Sequence, residues 1–318
     1  MNVFSFDPAE HREHYREHGW IHVRQGIDAA FLQELTDFAR RSFSEHVVTG
    51  KAITGAKSQA VYEFPPGVDF PDHLFDVVAA VGGLERTGMT LSERHIKAYD
   101  PDAAPTPSAH KDRLASQISV GLSIEVPEDS YLVLYPIDDR WPNPSNVSAA
   151  LLERLPPERH PDVVLRDAHE LRIHDEPGDV VMFEGSSMWH LRRNPAGTIN
   201  LYLKFNDFGC DPLGEDPSTQ SRRDATLAAL ADGELGSRVP VLARQLDTVT
   251  HEYTRESWRK HMLASVWNQP SLPLTEAQWA LLRRVDGRST ARDLAGGDVG
   301  ISEDDVRQLA AHGVLDLL

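Results

Sequence analysis

From about Arg94 the apolar period changes to two, and the short strand-like runs that follow, as far as Phe205, limit the fold more than any other feature of the chain. "RHIKAY", "SQISVGLSIEV", "SYLVLYPI", "DVVLRDAHELRIH", "GDVVMF" and "TINLYLKF" are short runs of this kind, separated by clusters of Pro, Gly and Asp. Alternate side chains of a strand point to opposite faces, so such runs make sheets with one apolar and one polar face. Several short strands with turn residues between them build an antiparallel sandwich or barrel. On either side the period returns to that of helices. Residues 8–18 and "DAAFLQELTDFARRSF", capped by Asp28, read as helices, with "GWIHVRQGI" as a short strand between them. "RRDATLAALADGEL" and "VPVLARQLDTVTHEYTRESWRKHMLASVW" are expected to be helical, and "NQPSLPL" a linker. The residues from Thr275 onward read as three short helices with a small terminal wing. The expected organisation is therefore mainly β with flanking helices over 1–268 and a small helical domain over 269–318.

Composition narrows the functional classes. The chain has 318 residues, 40% hydrophobic and 25% charged, which describes a globular protein with one large domain and one small one. No apolar run is long enough to span a bilayer, and the first residues lack the basic and apolar regions of a signal peptide. One cysteine, Cys210, excludes an intramolecular disulfide and any multi-cysteine zinc or iron–sulfur site. A reducing cytoplasm is the expected compartment. A formal charge of −17 argues against nucleic acid as a partner, because phosphate contacts need clustered Lys and Arg.

The chemistry is to be sought where the polar faces meet. In one strand Gln117, Ser119, Gly121, Ser123 and Glu125 share a face; in another Thr198, Asn200, Tyr202 and Lys204 do. Such a face is either solvated, as in most alternating strands, or lines the pocket of a barrel. A histidine and a carboxylate two residues apart, His110 and Asp112, precede the first of these strands. With 15 His and 49 acidic residues, chance alone gives about two His-x-(Asp/Glu) tripeptides, and the chain has four, at His11, His110, His160 and His174. Context distinguishes them. His110-Lys111-Asp112 follows a strand ending at Tyr99 and a Pro-rich loop, whereas His160-Pro161-Asp162 sits in the Pro-studded "RLPPERHPDVV" and His174 adjoins a Pro-Gly turn.

Beyond lies a Pro177-Gly178-Asp179 turn, an apolar strand, His190 just past its end, a turn from Asn194-Pro195 to Gly197, and a final strand. This order resembles the Fe(II)/2-oxoglutarate-dependent oxygenases, and "YREHGWIHVRQGIDAAFLQEL" is similar to the opening of their phytanoyl-CoA dioxygenase-like branch. The resemblance covers roughly residues 15–208. It implies a double-stranded β-helix (a cupin-like jelly roll), with His110, Asp112 and His190 as a facial triad. Two imidazoles and one carboxylate hold Fe(II) on one side and leave three positions for a bidentate 2-oxo acid and O2. It further implies a cation on the last strand for the distal carboxylate of 2-oxoglutarate. Ten residues after His190, where several branches carry Arg or Lys, this chain has Asn200. Lys204, fourteen residues after His190, shares the polar face and is the expected anchor, while Arg192 and Arg193 read as solvated loop residues. Tyr99, Gln117 and Tyr202 are candidates to contact the cosubstrate.

The carboxylate at Asp112 favours hydroxylation over halogenation, for which the family replaces it with a small residue. The implied reaction is hydroxylation of an unactivated C–H bond of a small molecule or amino-acid side chain, with release of succinate and CO2. The loops "YEFPPGVDFPDHLF" and "DDRWPNPSNVS" are expected to select the substrate. The last segment is similar to small winged-helix-type modules, for which dimerisation or contact with a partner is one expected role and simple packing the other. Two alternatives stay open: a cupin-type metal oxygenase or isomerase without 2-oxoglutarate, kept alive by Asn200, and a non-catalytic binding module.

Overall fold

The computed structural model describes residues 1–318 apart from 45–56, 69–71, 138–139, 147, 234, 254–259, 268, 297 and 299. Parts of both loops expected to select the substrate thus lie outside the described residues. The chain divides into two compact units, Met1–Phe208 and Gly209–Leu318.

The first unit opens with helix α1 (Arg12–His18), strand β1 (Trp20–Val23) and helix α2 (Ala29–Ser44). Strand β2 (Lys57–Val61) and helix α3 (Asp72–Gly82) lead into β3 (Thr90–Tyr99), β4 (Ile118–Glu125) and β5 (Tyr131–Tyr135). Two short helices, α4 (Ser148–Arg154) and α5 (Pro161–Val164), precede β6 (Leu171–Ile173), β7 (Val180–Phe183), β8 (Trp189–Arg193) and β9 (Ile199–Asn206). One sheet has the order β1-β7-β4-β9-β3-β2 and the other β6-β5-β8, with antiparallel pairing throughout. A bridge between His110 and His190 adds one more rung beside β8. Several antiparallel sheets with helical cover are what a jelly roll requires.

The two faces of the larger sheet decide the layering. Its apolar side, with Val120, Leu122, Leu201, Leu203 and Phe205, is buried against the helices in one cluster. On α2, Phe31, Leu35 and Ala39 recur at helical spacing and are all buried. Full burial of a Phe or Leu stabilises by about 1.5–3 kcal/mol. Asp28 caps that helix as expected, accepting from Ala30 N at 3.0 Å and Phe31 N at 3.3 Å. The polar side is not solvated: Ser119, Ser123, Asn200 and Lys204 are at most 4% exposed. It faces the smaller sheet, whose Leu132, Leu134 and Ile173 pack with Val181 and Phe183. A lining of buried polar groups is unfavourable unless its members are paired or serve a ligand.

The second unit corrects the expected domain boundary. It comprises α6 (Pro217–Asp232), β10 (Pro240–Leu242), β11 (Leu246–Tyr253), β12 (Lys260–Val266), β13 (Leu272–Leu274), α7 (Glu276–Leu282), α8 (Ala291–Leu294), α9 (Glu303–Ala311) and β14 (Leu315–Leu317). One apolar cluster joins Ala229, Leu235, Ala264, Val266, Leu274, Leu281, Leu309 and Leu317. Division therefore falls at 208/209 and not at 268/269, which would cut this core. The stretch expected to be helical forms strands β10, β11 and β12, consistent with the β-branched Thr248-Val249-Thr250. "NQPSLPL" is not a free linker, because Leu272–Leu274 pairs with β12. The three short helices are present, each opened by a capping box, at Thr275/Gln278, Thr290/Asp293 and Ser302/Asp305. Among the described residues no helix is long and apolar enough to cross a membrane.

Candidate metal centre

His110, Lys111 and Asp112 run as extended chain, so His110 and Asp112 share a side and Lys111 takes the other. Lys111 is fully buried there, its ammonium donating to Trp141 O at 2.8 Å and lying 4.2 Å from the Trp141 ring centroid. The rung to His190 is closed by His110 N to His190 O at 3.0 Å and His190 N to His110 O at 2.9 Å. Ligand atoms of His110, Asp112 and His190 all lie within 4.8 Å of one another. His190 Nε2 is 3.8 Å from Asp112 Oδ2. Residues from two distant parts of the sequence thus converge on one point.

The protonation states suit a metal. His190 Nδ1 lies 3.0 Å from Met188 O and His110 Nδ1 3.4 Å from Ser108 O. Assigned as Nδ1–H donors to those carbonyls, both rings present an Nε2 lone pair to the site. Burial, with the neighbouring His190, brings His110 down to about 3, and burial also lowers His190, so both are neutral at neutral pH. Burial alone would raise the Asp112 carboxyl, but the Lys204 ammonium and the two histidines hold it well below the usual carboxylate range. Two neutral imidazoles and one carboxylate are the donor set of a non-haem Fe(II) centre, and these residues fit it.

Around the triad, Ser119 donates to Asp112 Oδ2 at 2.6 Å and the Lys204 ammonium rests on the same oxygen. Asp112 N donates to Gly185 O at 2.9 Å. Gly185 sits so close that a Cβ there would lie 1.8 Å from Ser119 Oγ. The competing histidines stand elsewhere. His160 is partly exposed and forms a 3.3 Å surface pair with Asp162, and His174 packs at a tilt against Tyr131, ring centroids 4.8 Å apart.

Arg192 is not a solvated loop residue. It is 5% exposed on β8, two residues beyond His190 and therefore on the same inward side, while Arg193 points outward to Glu170 at 2.8 Å. Arg192 Nη2 donates to both Asp175 oxygens, at 2.9 and 2.7 Å, and Nη1 to Ser130 Oγ at 3.2 Å. Its Nε and the Oδ1 of Asn200 are buried without a hydrogen-bond partner. Both residues line a void of about 10 Å³ with Gly121, Ser123, Phe183 and Tyr202, room for about one water. An unmet cationic donor deep in the barrel suits a carboxylate. Tyr99 and Tyr202 are half-buried on the same wall, and Asn200 Nδ2 donates to Tyr202 Oη at 3.4 Å. Gln117 is drawn away from this cluster. Its Oε1 accepts from Asp207 N at 3.1 Å, and it lines a cavity of about 390 Å³ with Tyr15, Arg140 and Glu184, whose lining includes none of the triad.

No protein-family model matches the sequence, and no curated protein matches it. Among solved structures the chain is similar to the non-heme alpha ketoglutarate dependent epimerase SnoN from nogalamycin biosynthesis, at 15% identity over 63% of this chain and 84% of that one, with TM-score 0.46. It is similar to the non-heme alpha ketoglutarate dependent carbocyclase SnoK of the same biosynthesis, at 12% identity over 62% and 83%, TM-score 0.47. A Pseudomonas putida prolyl-4-hydroxylase follows at 17% identity over 63% and 98%, TM-score 0.43.

Proposed function

We propose that this chain is a non-haem Fe(II)- and 2-oxoglutarate-dependent oxygenase that hydroxylates a C–H bond of a small molecule or amino-acid side chain. The observation that carries the reading is the convergence of His110, Asp112 and His190 inside a barrel whose lining is polar and buried. When bound, Fe(II) would activate O2 as the oxidant, with the 2-oxo acid as co-reductant: one oxygen atom would pass to succinate as CO2 is released and the other to the C–H bond. The protein's own part is positioning. Met188 O and Ser108 O fix the two imidazoles in the tautomer that offers Nε2. Ser119 and Lys204 hold the Asp112 carboxylate and keep it ionised. Arg192 Nε, with Tyr202 beside it in the same small void, would receive the far carboxylate of the 2-oxo acid, for which that void has to widen.

Protein purified without oxygen should bind one Fe(II) and form succinate from 2-oxoglutarate once air is admitted. Alanine at His110, Asp112 or His190 should abolish both while the far-ultraviolet circular dichroism stays unchanged, and His160→Ala should alter neither. Stoichiometric Fe(II) in the His190→Ala protein would overturn the assignment.

A further inference from the structure

Across the barrel from Arg192, the wall formed by β2 and β3 carries charge that the proposed chemistry leaves unused. Lys57 pairs directly with Tyr99, so the two share a face, and Glu93 and Lys97 lie on that face opposite Lys204 and Asn200. Glu93 is 3% exposed and takes both the Lys97 ammonium, at 2.9 Å, and the Arg113 guanidinium. Two cations therefore already share one carboxylate. Lys57 adds a third and has no hydrogen bond or ion pair among the described residues, its Nζ lying 5.4 Å from the Tyr99 ring centroid. Lys97 Nζ lies 5.2 Å from the Tyr202 centroid, so both ammoniums border the tyrosines that edge the metal centre. Burial and the nearby Lys97 charge pull Lys57 down to about 8, as expected of a cation short of a counter-ion. A half-buried ammonium beside another cation is unfavourable until an anion joins it.

We propose that Lys57 and Lys97 receive an oxyanion, a carboxylate or a phosphate, carried by the primary substrate, so that the protein acts on small acids and not on neutral molecules. The proposal rests on the oxygenase reading above, which reserves the metal and Arg192 for the cosubstrate. An inward lysine on an edge strand can also serve merely to deter strand pairing, and the test separates the two.

Protein loaded with Zn(II) and saturating 2-oxoglutarate is titrated calorimetrically with benzoate, phenyl phosphate and benzamide. Benzoate or phenyl phosphate should bind at least about tenfold more tightly than benzamide, as a charge-assisted contact requires, and their ratio tells carboxylate from phosphate. Lys57→Gln breaks no internal pair and should lower the affinity for the acid about tenfold, Lys57→Arg should restore it, and 2-oxoglutarate affinity should change less than about twofold. Equal binding of benzamide, no acid binding by the parent, or acid binding indifferent to Lys57→Gln overturns the proposal. Loss of 2-oxoglutarate affinity in Lys57→Gln also overturns it and gives Lys57 to the cosubstrate. A parent that binds the acids through Lys57 but takes up no 2-oxoglutarate instead sinks the oxygenase reading and leaves the anion wall standing.

Discussion

Gly185→Ala is the smallest change that should disable the metal centre without touching a ligand. Gly185 has no left-handed backbone requirement, so its missing side chain matters only for space. A methyl group there would lie 1.8 Å from Ser119 Oγ and 2.8 Å from Asp112 Oδ2. Ser119 is held in β4 and Asp112 by its own N–H to Gly185 O at 2.9 Å, so one must yield, and the 2.6 Å hydrogen bond between their side chains is the weakest link. Loss of a hydrogen bond to a charged group is worth about 1.5–3 kcal/mol, and loss of an outer partner of a metal ligand usually weakens metal binding about ten- to a hundredfold. Overpacking adds about 1–3 kcal/mol of destabilisation, and in a domain of this size each kcal/mol lowers Tm by about 2–4 °C. Anaerobic Fe(II) titration and a thermal melt read the two effects separately. Ser119→Ala should weaken the metal with little change in Tm, since it removes the hydrogen bond and leaves the space. The double variant Ser119→Gly/Gly185→Ala should recover part of the lost Tm, because the closest clash is gone. Parental Fe(II) affinity in Gly185→Ala would refute this reasoning and with it the tight approach of the Gly185 backbone to Asp112.

The rival cosubstrate anchors separate by what each change disturbs. Arg192→Met combined with Asp175→Asn, which avoids stranding a buried carboxylate, should raise the 2-oxoglutarate requirement about ten- to a hundredfold with Fe(II) affinity kept. Lys204→Met should chiefly alter Fe(II) affinity, because its ammonium rests on the ligand oxygen; a selective loss of 2-oxoglutarate binding in that variant would make Lys204 the anchor. Truncation after Phe208 should leave a folded unit that still binds Fe(II), whereas ending the chain at residue 268 should expose Ala264 and Val266 and cause aggregation on size exclusion. A monomeric 1–268 protein as stable as the full chain would count against the two-unit division.

Much of the site was legible because alternation in a strand is local. The preceding strand and Pro-rich loop set His110-Lys111-Asp112 apart from three similar tripeptides, and the same face of β9 carries Asn200, Tyr202 and Lys204 as read. What alternation cannot say is whether a polar face meets water or the inside of a barrel, since that depends on the second sheet. The inward burial of Arg192 was missed for a related reason: "HLRRNP" looks like the start of a loop, although its offset of two from His190 was the available signal. Gln117 had the right parity but stands at the rim, where the backbone N–H of Asp207 claims it. Domain division failed where Thr248–Thr250 sits in a stretch with enough Leu, Ala and Arg to read as helix.

The strands of the larger sheet have a division of labour between their faces. Val120, Leu122, Leu201 and Leu203 belong to the apolar cluster that holds the unit together, while Lys57, Lys97, Tyr99 and Tyr202 belong to none of the apolar clusters. On the proposed reading, a change at Lys57, Tyr99 or Tyr202 alters what the barrel recognises while leaving the stability reserve largely intact, whereas loss of Lys97 takes a partner from the buried Glu93. Among descendants of one ancestral gene, odd and even positions of a single strand should then drift at different speeds. The outward set would be kept by the need to stay folded, and the inward set would be free to follow each new substrate.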